Sequence, residues 1–202
     1  FYLMQEEKKY LKRKLILENE LTIKIVGNGT KKIVDGDFHA IPSEVYINGV
    51  KQDSAGKSIN IEGDEDQETI VTMKFNSPLT STAKMFFYLK HIVEIDLSKF
   101  DFSSVKNMGG MFRGCSSLAS INFGNCDTSS VTQMTGLFQE CTNLISLDLS
   151  NFNTSNVENM EVMFYHCAQL KSLNLDSFNT IKVNNMNSMF YQCESLTTLD
   201  LS

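Results

Sequence analysis

Cysteine is the residue whose spacing first suggests chemistry. Cys115, Cys141, Cys167 and Cys193 stand 26 residues apart, and Cys126 lies off this series. Equivalent positions on stacked chain turns would sit about 5 Å apart. That is within reach of a disulfide, but parallel side-chain directions strain such a bridge. Buried thiols acting as small apolar groups are the plainer expectation. A metal centre is not expected, because no His or carboxylate shares the cysteine column. His39, His91 and His166 are scattered, with no H-E-x-x-H pair and no nucleophile beside them. Gly56-Lys57-Ser58 ends like a phosphate loop, but Lys51 stands where the motif needs its first Gly. No Gly-rich dinucleotide loop occurs. The sequence therefore points to no catalytic residue, no metal and no cofactor.

The other candidate site is a set of polar columns with the same period. One column reads Glu94, Ser120, Ser146, Ser172, Thr198; the next but one reads Asp96, Asn122, Asp148, Asn174, Asp200. Ser98, Gly124, Ser150, Asp176 and Ser202 flank them. On strands these residues would form an acidic, hydroxyl-rich face able to meet sugars, cations or a basic protein, or else a solvated ladder of hydrogen-bonded side chains. A rival stripe carries Arg113, Gln139, Tyr165 and Tyr191, residue types that anchor protein interfaces. Asn28-Gly29-Thr30 and Asn153-Thr154-Ser155 are glycosylation triplets, so Asn28 and Asn153 are candidate modification sites.

The elements that must hold these columns follow from the apolar residues. Val105, Val131, Val157 and Val183 align, as do Met108, Met134, Met160, Met186 and Phe112, Phe138, Phe164, Phe190. A fixed period of 20–50 residues marks a stacked-repeat architecture. Leu147-Asp148-Leu149-Ser150 alternates like a strand. Val157, Met160, Met163, Phe164, Cys167 and Leu170 step by three and four, which predicts a short helix. The expected class is an α/β leucine-rich-repeat solenoid, with a parallel sheet on one face and short helices on the other. Thr82, Met85, Phe86, Leu89, Ile92, Ile95 and Leu97 read as a degenerate first turn. Phe100, Cys126, Phe152 and Phe178 read as corner plugs, with Cys126 marking the least well packed rung. Asp or Asn follows each plug and can bind turn amides, and Thr128, Thr154 and Thr180 fit the same turn.

Residues 20–78 lack the period. Leu21–Val26, the Asn48-Gly49 hairpin and Ile70–Phe75 read as strands of a β-rich N-terminal cap. Three segments are expected: a basic 1–19 of uncertain structure, the cap at 20–78, and the repeat array at 79–202. Lys8, Lys9, Lys12, Arg13 and Lys14 read as a solvated face, and Glu62–Asp66 as a solvated turn. The 202 residues are 42% hydrophobic and carry a net charge of −6. That excludes a disordered chain and argues against nucleic acid as partner. No apolar run is long enough to cross a bilayer. The chain starts at Phe1 and stops inside a repeat, so it reads as part of a longer one, with any membrane contact made by parts outside it.

The lines LDLSNFNTSNVENMEVMFYHCAQLKSL and LNLDSFNTIKVNNMNSMFYQCESLTTL resemble the BspA-like leucine-rich-repeat surface proteins, whose repeat is "LDLSxFDTSxVTNMxxMFxxCxxL". The resemblance spans about 60% of the chain and departs at Cys126, Leu137 and Ile181-Lys182. It implies a non-enzymatic cell-surface or secreted domain for adhesion, binding a protein or glycan. The alternative is an intracellular leucine-rich-repeat scaffold or regulator with reduced buried thiols.

Overall fold

A computed structural model describes residues 19–199. Residues 1–18 of the basic segment 1–19, and Asp200 and Ser202 of the polar columns, lie outside the described residues. Among the described residues there are eleven strands: β1 (Asn19–Val26), β2 (Gly29–Lys32), β3 (Glu44–Ile47), β4 (Val50–Lys51), β5 (Ser58–Ile61), β6 (Glu68–Phe75), β7 (Ile92–Asp96), β8 (Ser120–Asn122), β9 (Ser146–Leu147), β10 (Ser172–Leu173) and β11 (Thr198–Leu199).

No described residue lies in an α-helix. The protein is all-β, with several small sheets, and the expected α/β leucine-rich-repeat solenoid with helices is overturned. The helix expectation fails at named positions. In each Met-x-x-Met-Phe-x-x-Cys segment two residues take positive φ: Lys84 and Tyr88, Gly110 and Gly114, Gly136 and Glu140, Val162 and His166, Ser188 and Gln192. A left-handed residue every fourth position breaks a helix into consecutive turns. Turns joined this way still return apolar residues to one side at spacings of three and four, which is why the periodicity looked helical.

The backbone bonds show where the amides go. Phe112, Arg113 and Cys115 illustrate the alternation. The amides of Met111, Arg113 and Cys115 donate back three residues, to Met108, Gly110 and Phe112. The amides of Met108, Gly110, Phe112 and Gly114 donate instead to the carbonyls of Gln133, Thr135, Leu137 and Gln139, one period ahead. Met134, Gly136, Phe138 and Glu140 repeat the pattern onto Asn159, Glu161, Met163 and Tyr165, and Met160, Val162, Phe164 and His166 onto the segment after that. Parallel bridges at Ser81, Asn107, Gln133, Asn159 and Asn185 continue the same register. Successive repeats are thus hydrogen-bonded neighbours.

The strands are shorter than expected and do not form one sheet. The six-stranded sheet runs β4-β3-β6-β1-β7-β8. In it β1 pairs antiparallel with both β6 and β7, while β7 pairs parallel with β8, Glu94 facing Ser120 and Asp96 facing Asn122. The β-rich N-terminal residues therefore share a sheet with the first turns of the repeat. A separate sheet, β9-β10-β11, is parallel, with Ser172 between Ser146 and Thr198. β2 and β5 form a third, antiparallel pair. At the Asn48-Gly49 turn both residues have positive φ, which joins β3 to β4 as the sequence indicated.

The period places like side chains in contact. Phe86, Phe112, Phe138, Phe164 and Phe190 stack with centroids 5.5–5.8 Å apart. The first four are fully buried. Val105, Val131 and Val157 and Met108, Met134 and Met160 are equally dry, whereas Met186 in the last turn is 49% exposed. Cys126 is smaller than the Phe of its column, but Phe123 stands where Leu149 and Leu175 stand. The Phe123 ring lies 4.8 Å from that of Phe152 and within about 6 Å of Phe102, Phe112 and Phe138, offsetting the lost volume. Thr128 and Thr154 do not serve their own turns. Each buried hydroxyl donates to the carbonyl of the Asn one period ahead and accepts from the same residue's amide, at 2.7–3.1 Å.

Phe138 has a ring on both sides, so Phe138→Ala should lower unfolding free energy by about 3–5 kcal/mol. Chemical denaturation measures this. A loss below about 1 kcal/mol would contradict the stacked packing.

Candidate functional site

The polar columns form two shallow depressions on the strands. One, of about 360 Å³, is lined by Thr22, Lys24, Glu94, Asp96, Ser120 and Asn122 among others. The second, of about 350 Å³, is lined by Ser146, Asp148, Ser172, Asn174 and Thr198 with two leucines. The interruption between β8 and β9 separates them. Nine of the ten sequence-derived positions are thereby placed, and Asp200 lies outside the described residues.

Several of these side chains already have partners. Asp96, Asn122, Asp148 and Asn174 each accept the amide two residues on, from Ser98, Gly124, Ser150 and Asp176, at 2.8–3.0 Å. Asp101, Asp127, Asn153 and Asn179 do the same after the corner residues. These short acceptors hold the chain's bends. The Ser150 amide and then its hydroxyl hold the Asp148 carboxyl below the ordinary range. The Ser129 hydroxyl, followed by its amide, lowers that of Asp127. Glu94 is bound by Lys24 on β1 at 2.8 Å, and Lys24 also reaches Glu68 at 3.4 Å. The hydroxyls of Ser120, Ser146, Ser172 and Thr198 make no hydrogen bond within the protein, and all four residues are exposed.

The cysteine column is unpaired, and it is buried except at Cys193. All five thiols are free. Cys115, Cys141, Cys167 and Cys193 each donate to the carbonyl of Phe86, Phe112, Phe138 and Phe164, 3.0–3.1 Å away in the preceding repeat. Burial pushes Cys115 up to about 12 and Cys126 up to about 11, and drives Cys141 and Cys167 upward too. Thiols held protonated in this way are poor nucleophiles and poor metal ligands. Among the described residues no cluster of His, Cys, Asp or Glu could hold a metal. His91 places Nε2 2.6 Å from the Lys32 carbonyl, and burial lowers its pKa. It links the repeat to β2 rather than facing a site. Among the described residues no helix is long and apolar enough to cross a membrane.

Residues 80–201 match a family described as "Mycoplasma protein of unknown function, DUF285". The chain belongs to this family. The DUF285 match covers the whole repeat array and stops short of β1–β6. No curated protein and no solved structure matches the chain. The family match does not establish the finer leucine-rich-repeat identity.

Asn28 is exposed and donates to the Gly63 carbonyl. Asn153 is exposed, but the Thr154 of its triplet is fully buried. On the turn segments, Phe87, Arg113, Gln139, Tyr165 and Tyr191 share one column, with Tyr165 and Tyr191 stacked at 5.2 Å. Lys84, Phe87, Gly110 and Gly136 were not singled out by the sequence.

Two measurements follow. The folded protein at pH 8 should react with a disulfide reagent fastest at half-exposed Cys193, and the other four thiols should react only on unfolding. Fast labelling of Cys141 would contradict its burial. The lowered carboxyls of Asp127 and Asp148 contribute stability above the unfolded carboxyl range near pH 4, and it is lost as pH falls through their folded values. Denaturant midpoints should therefore drop between about pH 4 and pH 2. Asp148→Asn, which keeps the acceptor, should flatten that slope.

Proposed function

We propose that this protein is a non-enzymatic, surface-displayed repeat domain that binds a protein or glycan through its strand face. The observation that carries the reading is the column of exposed hydroxyls, Ser120 on β8 and Ser146, Ser172 and Thr198 on β9–β11, which make no hydrogen bond within the protein and lie beside acidic and amide groups. Ser146 and Ser172 lie directly opposite each other in register. Rigid display limits the ordering cost of association. A polar face of this kind suits a wet interface rich in hydrogen bonds. The family membership and the resemblance to BspA-like surface proteins support display at the cell surface or secretion, and an adhesive role.

A second reading, an intracellular scaffold, draws support from five unpaired thiols, since disulfides are rare in reducing compartments. Their burial also protects them outside the cell, so location decides. Protease shaving of intact cells should release this domain; its full protection would overturn surface display. The double substitution Ser146→Arg and Ser172→Arg adds bulk and charge to the face without touching the bonded Asx residues. On immobilised extracellular-matrix proteins and on a glycan array, it should lower retention at least ten-fold while leaving thermal unfolding unchanged. Equal retention of both proteins would remove the strand face from the reading.

A further inference from the structure

The turn segments fall in register at residues 80–91, 106–117, 132–143, 158–169 and 184–195, and their charges are unevenly divided. The first two segments carry Lys84, Lys90, Lys106 and Arg113 and no acid. The last three carry Glu140, Glu158, Glu161 and Glu194 and no Lys or Arg. Lys84, Lys90, Lys106, Glu158 and Glu194 are exposed, and Glu161 is half-buried. Among the described residues none of these six forms an ion pair. Backbone bonds hold the segments side by side, so the face is cationic at one end and acidic at the other. Such a face is complementary to itself when turned end for end.

The relief of the face repeats this relation. One column of positive-φ residues reads Lys84, Gly110, Gly136, Val162, Ser188. Its two glycines leave a hollow of about 330 Å³, and Val162 stands at the edge of it. Side chains that anchor protein interfaces, aromatic rings and Arg, fill the column that runs from Phe87 through Arg113 to Tyr165 and Tyr191. Tyr191 is 56% exposed. The Arg113 guanidinium lies over the Phe87 and Tyr88 rings at 5.7 and 5.9 Å.

We propose that a second copy of this chain docks on the turn segments, about a two-fold axis lying in the interface along segment 132–143. That axis sets each column against itself with the order of segments reversed, so every contact occurs twice. Lys106 then faces Glu158 of the second copy, and Lys90 faces its Glu194. Val162 of the second copy stands opposite Gly110 and fills the hollow. Arg113 meets the second copy's Tyr165, and Phe87 meets its Tyr191. Glu140 meets its own equivalent, but the Tyr88 hydroxyl already donates to both its oxygens at 3.2 Å and Arg113 lies 3.7 Å away. An axis along the array instead would set cations on cations and acids on acids. Exposed ion pairs add little affinity each. Here they select the partner and its direction, while the rings and the filled hollow hold it. The contact leaves both strand faces uncovered and does not depend on the strand-face reading.

Sedimentation equilibrium of the chain tests this. A dimer with a Kd on the order of 10 μM is expected at about 50 mM salt. It should weaken at least ten-fold at about 500 mM salt, as the charges are screened. Lys106→Glu and Glu158→Lys should each weaken it at least ten-fold. The two together in one chain should restore it, because the swapped charges meet across the axis. Lys106→Glu with Glu194→Lys has the same net charge and should not restore it. Val162→Gly, which a positive-φ position accepts without strain, should weaken the dimer at least ten-fold with the circular dichroism spectrum unchanged. Ser146→Arg with Ser172→Arg should leave it unaltered, so failure of the strand-face reading is distinguishable. A monomer at about 0.5 mM chain in low salt would overturn the proposal, whether or not hexaglutamate binds it. So would a dimer indifferent to Lys106→Glu, a swap with Glu158→Lys that fails to restore it, or one with Glu194→Lys that succeeds.

Discussion

Alternate amides of each turn segment can be satisfied only by the neighbouring repeat. Met108, Gly110, Phe112 and Gly114 point their N–H groups away from their own turns, and the carbonyls of Gln133, Thr135, Leu137 and Gln139 receive them. An unpaired buried amide is too costly to leave, so the repeats must lie side by side in one register. That single requirement fixes the 26-residue period and with it every side-chain column.

The columns then stabilise what the amides impose. Phe rings stack at 5.5 Å, thiols bond to the preceding repeat, and the Thr128 and Thr154 hydroxyls bridge both backbone groups of an Asn ahead. None of these contacts is available to a lone repeat. The N-terminal residues join the same scheme through β1, whose pairing with β7 carries the antiparallel sheet into the array. The Asp35 amide likewise bonds to the Met85 carbonyl, one of the acceptors that the first turn has no preceding repeat to fill.

The period, the buried columns, the strands of residues 21–26 and 70–75 and the Asn48-Gly49 hairpin were legible because each depends on local alternation or on identical neighbours. The helices were misread for a physical reason. Spacings of three and four arise both from a helix and from linked turns, and the difference lies in positive φ at Lys84, Tyr88, Glu140, Val162 and His166, residues that do not advertise it. Asp96 and Asp148 each spend an oxygen on their own bend, a detail of local geometry that leaves the plainer hydroxyls as available groups.

Because every repeat offers its successor the same set of donors that it takes from its predecessor, the array is modular at the level of the gene. Deleting or duplicating 26 codons joins two surfaces that already fit, whereas an indel of any other size misaligns the bonds downstream of it. Length can therefore drift between lineages while the inner columns stay fixed. Selection on outward positions such as Arg113 or Ser146 can then proceed one repeat at a time.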